Sequence, residues 1–175
     1  MTTSEDEAKR NAARRELAGS TVGDVMSRNP TTIDPDAALE TAAAVMSERE
    51  IRHLPVVDDH GRLIGMLSDR DVRGVVLAPV LGQYLSPAAR KALEAVSLAL
   101  CDVRVRDAMT WDHVAIEPGA PLAHAAALMF EGGFGSLPVV EGGVLVGIVT
   151  ERDVLKAFAL LLPAIRGSDP DTYFW

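Results

Sequence analysis

Leu54-Pro55-Val56-Val57, followed by Leu63-Ile64-Gly65-Met66-Leu67-Ser68-Asp69-Arg70-Asp71, recurs as Leu137-Pro138-Val139-Val140 and Leu145-Val146-Gly147-Ile148-Val149-Thr150-Glu151-Arg152-Asp153. Each copy is a pair of short apolar runs about a polar turn, the pattern of a β-hairpin. Each ends in Ser/Thr-x-x-Asp, where a strand gives way to a helix. A repeat of this kind fixes the architecture before any single propensity is consulted.

The repetition extends in the N-terminal direction. Val22, Asp24 and Met26 match Val105, Asp107 and Met109; Ile33, Pro35 and Leu39 match Ile116, Pro118 and Leu122, at an offset of about 83 residues. The offset falls by about one across the hairpin, because Asp58-Asp59-His60-Gly61-Arg62 is replaced by the shorter Glu141-Gly142-Gly143. Turns tolerate such changes. Each repeat therefore predicts strand, helix, strand, strand, helix: Thr31-Thr32-Ile33 extended, then a helix with Leu39, Ala43 and Met46 at helical spacing and Asp36 as its cap, then the hairpin, then a helix capped by Ser68 or Thr150. Neither repeat buries much alone, so an α/β (α+β) fold with the two packed sheet to sheet is expected.

This reading divides the chain into a charged N-terminal tail or helix (1–19), a first repeat (20–77), a linker helix (78–103), a second repeat (104–162) and a C-terminal tail (163–175). The linker is longer than a plain connector, and Ser86-Pro87 with Leu93, Val96 and Leu100 predicts a capped amphipathic helix. The tail ends in Tyr173-Phe174-Trp175, aromatics suited to docking on this protein or its twin.

Composition narrows the function. A net charge of −8 speaks against a nucleic-acid surface, which needs clustered Lys and Arg, but not against a local anion pocket. No apolar run reaches membrane-spanning length and the first residues lack the apolar core of a signal peptide. The single cysteine, Cys101, fits a reducing cytoplasm and reads as an inert thiol. His53, His60, His113 and His124 show no paired metal-ligand spacing, Gly132-Gly133-Phe134-Gly135 is neither a Walker loop nor a dinucleotide fingerprint, and no nucleophile–base set stands out. An enzyme and a metal site are therefore not expected.

Ser68 with Asp71, and Thr150 with Asp153, read in two ways. They suit capping boxes, and a hydroxyl and a carboxylate at a strand-to-helix turn also suit a polar ligand, since an ionised Asp accepts hydrogen bonds while Ser or Thr both donates and accepts. The roles use different lone pairs and can coexist. Candidates for holding an anion are Arg52, His53 and Arg70 in the first repeat, and Ser136 and Arg152 in the second. Gly135-Ser136 stands where the first repeat has Arg52-His53, so two similar sites of unequal phosphate affinity are expected.

Taken together, the doubled Met-x6-Ile-x-Pro, Leu-Pro-Val-Val and Gly-h-h-Ser/Thr-x-x-Asp (h apolar) resemble tandem cystathionine-β-synthase (CBS) domains, the Bateman module, over about 22–72 and 105–155. The resemblance implies two β-α-β-β-α repeats with pseudo-two-fold symmetry and a homodimer. It also implies an adenosyl ligand (AMP, ADP, ATP or S-adenosylmethionine) bound in clefts between repeats as a regulator, with no cofactor required. Ser68, Asp71, Thr150 and Asp153 would then contact ribose, and Thr32, Ile33, Ala115 and Ile116 would line adenine. The rival expectation is a dimerisation or protein-interaction module with degraded sites.

Overall fold

The computed structural model describes residues 8, 19–81 and 103–166. In chain order the elements are α1 (Val22–Val25), β1 (Ser27–Arg28), α2 (Leu39–Arg49), β2 (His53–Val57), β3 (Leu63–Ser68), α3 (Asp69–Leu81), α4 (Val105–Ala108), β4 (Thr110–Trp111), α5 (Leu122–Gly132), β5 (Ser136–Glu141), β6 (Val144–Thr150) and α6 (Glu151–Arg166). The strands form two three-stranded sheets, ordered β2-β3-β4 and β1-β6-β5.

Both predicted hairpins are present. In the first, His53 pairs with Ser68, Leu54 with Leu67 and Pro55 with Met66, with an irregularity between Val56 and Val57 at the turn end. The third strand of each sheet comes from elsewhere in the sequence. Thr110–Trp111 adds to β3 (Gly65 opposite Trp111), and Ser27–Arg28 adds to β6 (Arg28 opposite Gly147). The chain accordingly forms two compact units. One gathers residues 30–81 and 103–113 with the hairpin tip 142–145; the other gathers residues 19–29, 114–141 and 146–166. In space, the contiguous stretches 20–77 and 104–162 exchange their leading segments.

The exchanged segments are held by the same bonds in both units. The Val105 amide donates to Ala37 O, Arg106 to Pro35 O, and Leu39 returns a bond to Val103 O; in the other unit Val22 donates to Ala120 O, Gly23 to Pro118 O, and Leu122 to Ser20 O. Their apolar residues complete each core. Val105 and Met109 join Leu39, Leu54, Val56 and Leu67; Val22 and Met26 join Met129, Leu137, Val139 and Val149. Gly65 and Gly147 make room for this. A Cβ on Gly65 would lie 2.8 Å from Thr110 O and 2.9 Å from Met109 Sδ, and one on Gly147 would lie 2.5 Å from Met26 Sδ. Glycine inside a strand marks such a close approach.

Three details depart from the sequence-based reading. The leading strand is a single parallel bridge in each repeat, Ile33 with Val56 and Ile116 with Val139. Asp36 does not cap α2. Its N-cap is Ala38, whose side chain makes no cap bond, while the Asp36 amide donates to Asp34 Oδ1 and its carboxylate pairs with Arg106. The helix after the first hairpin runs on to Leu81, past residue 77 where the first repeat was expected to end. The linker helix around Ser86-Pro87, Cys101 and the aromatic tail lie outside the described residues.

Two carboxylates, the exposed Asp24 and the half-buried Asp58, make stability depend on pH. Asp24 is held below the ordinary carboxylate range chiefly by the Thr21 amide, then by the Thr21 hydroxyl, with Arg28 adding and burial opposing. Asp58 is held down chiefly by the Arg62 amide, with the Arg62 guanidinium and His60 amide adding and burial opposing. Because the folded values lie below the unfolded one, their stabilisation is fully present above about pH 4 and is lost as pH falls through the folded values. Thermal melts from pH 7 to pH 3 should show the midpoint falling at the acid end, and Asp58→Asn should reduce that slope; an unchanged slope would contradict the assignment.

Candidate functional site

The Ser/Thr-x-x-Asp segments close the same ring in both repeats. Ser68 N–H donates to Asp71 Oδ2 at 2.8 Å, Ser68 Oγ donates to the same oxygen at 2.6 Å, and Asp71 N–H returns a bond to Ser68 Oγ at 3.3 Å. For Thr150 and Asp153 the three distances are 2.9, 2.7 and 3.3 Å. All four residues are half-buried. The capping role is therefore real, and it limits what remains for a ligand. Each hydroxyl proton is spent on its own Asp, so Ser68 and Thr150 retain acceptor capacity and are not the free donors expected from sequence. Each Oδ1 accepts nothing among the described residues, leaving one carboxylate oxygen per repeat able to accept from two hydroxyls.

The helix N-termini are partly used as well. Asp69 N–H donates to Arg52 O at 2.9 Å and Glu151 N–H to Gly135 O at 3.1 Å, so two of the first three amides of each helix are consumed within the protein. Those bonds tie the residue before each Leu-Pro strand to the start of the following helix, bringing Arg52 beside Ser68 and Asp69. The strand register likewise sets His53 opposite Ser68.

The box also occurs without any indicated ligand role. Thr21 N–H and Oγ1 both donate to Asp24 Oδ2 at 2.7 Å, and Arg104 N–H donates to Asp107 Oδ2 at 2.9 Å. Asp24 and Asp107 are exposed. The sequence reading matched Asp24 to Asp107 without assigning either a role; Thr21-x-x-Asp24 itself was the available signal.

Ile33 and Ile116 are core residues whose backbone is already paired. Ile33 N–H donates to Pro55 O and its carbonyl accepts from Val57; Ile116 does the same with Pro138 and Val140. Their neighbours Thr32 and Ala115 are exposed. Arg52, Arg70 and Arg152 are exposed and make no ion pair among the described residues, whereas Ser136 is 2% exposed and has a partner within the protein. Asp69 and Arg73, which the sequence reading passed over, form an i,i+4 ion pair at 2.8 Å beside the first site.

Each repeat thus carries a β-hairpin-to-helix unit with a half-buried carboxylate at its strand-to-helix turn. The CBS domain family matches residues 22–78 and 105–160, and the chain belongs to that family as a CBS pair. A CBS domain-containing protein of Dictyostelium discoideum is 33% identical over 82% of this chain and 94% of its own length. Six other curated relatives are much longer, the chain spanning 14–41% of each. Among solved structures, CBSX2 of Arabidopsis thaliana in complex with AMP is 28% identical with a TM-score of 0.67, covering 82% of this chain and 99% of that one. The CBS pair of protein MJ0100 in complex with 5-methylthioadenosine and S-adenosyl-L-methionine is 26% identical with a TM-score of 0.62, covering 80% and 96%.

Proposed function

We propose that this CBS pair is a cytoplasmic, homodimeric sensor that binds an adenine nucleotide or adenosyl compound and regulates without catalysing a reaction. The observation that carries the reading is the doubled, half-buried capping carboxylate with an unused Oδ1. It is supported by the AMP and S-adenosylmethionine complexes of CBSX2 and MJ0100. Asp71 and Asp153 accept from the ribose hydroxyls, charge-assisted bonds of the strong kind. Ser68 and Thr150 accept at the flank, Thr32 and Ala115 face the base, and Ile33 and Ile116 back it from the core. Arg52, His53 and Arg70 attract phosphate in the first repeat; the second offers Arg152 and the buried Ser136. Ligand signals by population shift, favouring whichever conformational or dimeric state it binds better. No helix among the described residues is long and apolar enough to cross a membrane.

Calorimetry against AMP, ADP, ATP and S-adenosylmethionine tests the reading: at least one binds, and silence from all four would sink it. If AMP binds, Arg52→Ala should reduce its advantage over adenosine at the first site by up to about fivefold, since exposed ionic contacts contribute about 0.2–1 kcal/mol. The second site should be unaffected. An equal effect at both sites would count against two unequal phosphate environments. A second reading, a protein-interaction module, draws on the burial of Ser136 and the lack of a charged residue at Gly135. Binding confined to the first repeat would favour it for the second.

A further inference from the structure

The two strand-to-helix turns share a backbone and differ in charge. Asp69 N–H and Glu151 N–H each bond the carbonyl of the residue before the hairpin, Arg52 or Gly135, and Asp71 N–H and Asp153 N–H each bond the capping hydroxyl. An anion therefore meets the same amide donors in either repeat. The side chains around those donors are not the same. Gly135 stands where the first repeat has Arg52, the buried Ser136 where it has His53, and Leu155 where it has Arg73. Each helix opens on a carboxylate. Asp69 is paired with Arg73 at 2.8 Å, whereas Glu151 is exposed and has the apolar Leu155 at the same i,i+4 place.

We propose that the second repeat selects an adenosyl group carrying no anion, a neutral nucleoside or an adenosyl sulfonium, and that Glu151 is the residue that turns phosphate away. The inference rests on the adenosyl reading above and assigns a ligand class to one of its two sites. At the first turn Arg52, Arg70 and Arg73 accompany Asp71 and the already paired Asp69; at the second, Arg152 alone is set against Glu151 and Asp153. The capping aspartate is common to both turns, so it does not discriminate between them. Glu151 does. A phosphate carries a charge of about −1.5 to −2 near neutral pH, and an unpaired carboxylate beside the turn repels it while attracting a sulfonium. Glu50 in the first repeat and Lys156 in the second oppose this contrast. Glu50 lies two residues before Arg52 and Lys156 five after Glu151, so solvent and salt screen them more.

Calorimetry on the full chain with one site silenced tests the assignment. With Asp71→Ala, adenosine and S-adenosylmethionine should each bind the second repeat more tightly than AMP, adenosine by up to about fivefold, the size of an exposed ionic contact. With Asp153→Ala, AMP should bind the first repeat more tightly than adenosine. Adding Glu151→Gln to Asp71→Ala should lessen or abolish the penalty on AMP, and raising the salt concentration should shrink it. Asp71→Asn, which keeps a capping oxygen, takes the place of the alanine variant if that one does not fold. AMP binding the second repeat as tightly as adenosine or S-adenosylmethionine, or a penalty that Glu151→Gln leaves unchanged, would overturn the selection and leave the adenosyl reading standing. A second repeat that binds none of the three would overturn the selection, and silence at both repeats would overturn the adenosyl reading as well.

Discussion

Asp153→Ala should weaken adenosine-ligand binding at the second repeat by roughly 10- to 100-fold, since hydrogen bonds to a charged group contribute about 1.5–3 kcal/mol. Asp71→Ala should act alike on the first repeat, each leaving the other site in place. The substitution also removes a cap, so a loss of about 1 kcal/mol of stability should accompany it. The structure supplies a control for that second effect. Asp24, itself exposed, accepts the same two bonds from the Thr21 amide and hydroxyl, although its own amide donates to Thr21 O. Asp24→Ala should cost comparable stability and change no binding. If calorimetry finds that Asp24→Ala and Asp153→Ala weaken binding equally, the carboxylates act only as caps and the ribose assignment fails.

The second large effect concerns the strand glycines. Gly65→Ala should destabilise the first-repeat unit by about 2–4 kcal/mol, in the range of severe overpacking. The new Cβ would meet Thr110 O at 2.8 Å, a backbone oxygen that cannot withdraw without breaking the β3–β4 pairing. Gly147→Ala should cost less, because the nearest atom at 2.5 Å is the sulfur of Met26, the mobile end of an unbranched side chain, and Ser27 O stands farther off at 3.1 Å. Equilibrium urea unfolding of both variants checks the order. A Gly147→Ala protein less stable than Gly65→Ala would show that the two edges are not held as described.

These glycines also show what the sequence could and could not disclose. The hairpins were legible because Leu54–Val57 with Leu63–Leu67, and their counterparts, are apolar runs across a short polar turn, a signal local to about fifteen residues. The edge strands were not. Ser27–Arg28 and Thr110–Trp111 are two exposed residues each, and they pair with the hairpin of the other repeat. No periodicity spans two residues, and nothing local states a distant partner. The glycine at the middle of each apolar run, aligned with a repeated methionine, was the available clue.

The site divides in the same way. Spacing alone placed Ser68 with Asp71 and Thr150 with Asp153, because three residues across a strand-to-helix turn is the reach of a capping box. It did not show which oxygens the cap consumes, and so overcounted the hydroxyls as donors. Nor did it show that Ser136 is buried whereas His53, at the same first position of the equivalent strand, is half-buried. Asp36 shows the same limit from the other side. Its place before a helix suggested a cap, but Arg106, brought in by the exchanged segment, takes its carboxylate instead.

A crystal structure of the full chain grown with saturating AMP tests the central claim most directly. The account predicts the ribose hydroxyls within hydrogen-bonding distance of Asp71 Oδ1 or Asp153 Oδ1, with both capping rings intact and the phosphate on the Arg52 side where the first repeat is occupied. AMP bound with its ribose away from both carboxylates, or no AMP bound at all, would contradict it.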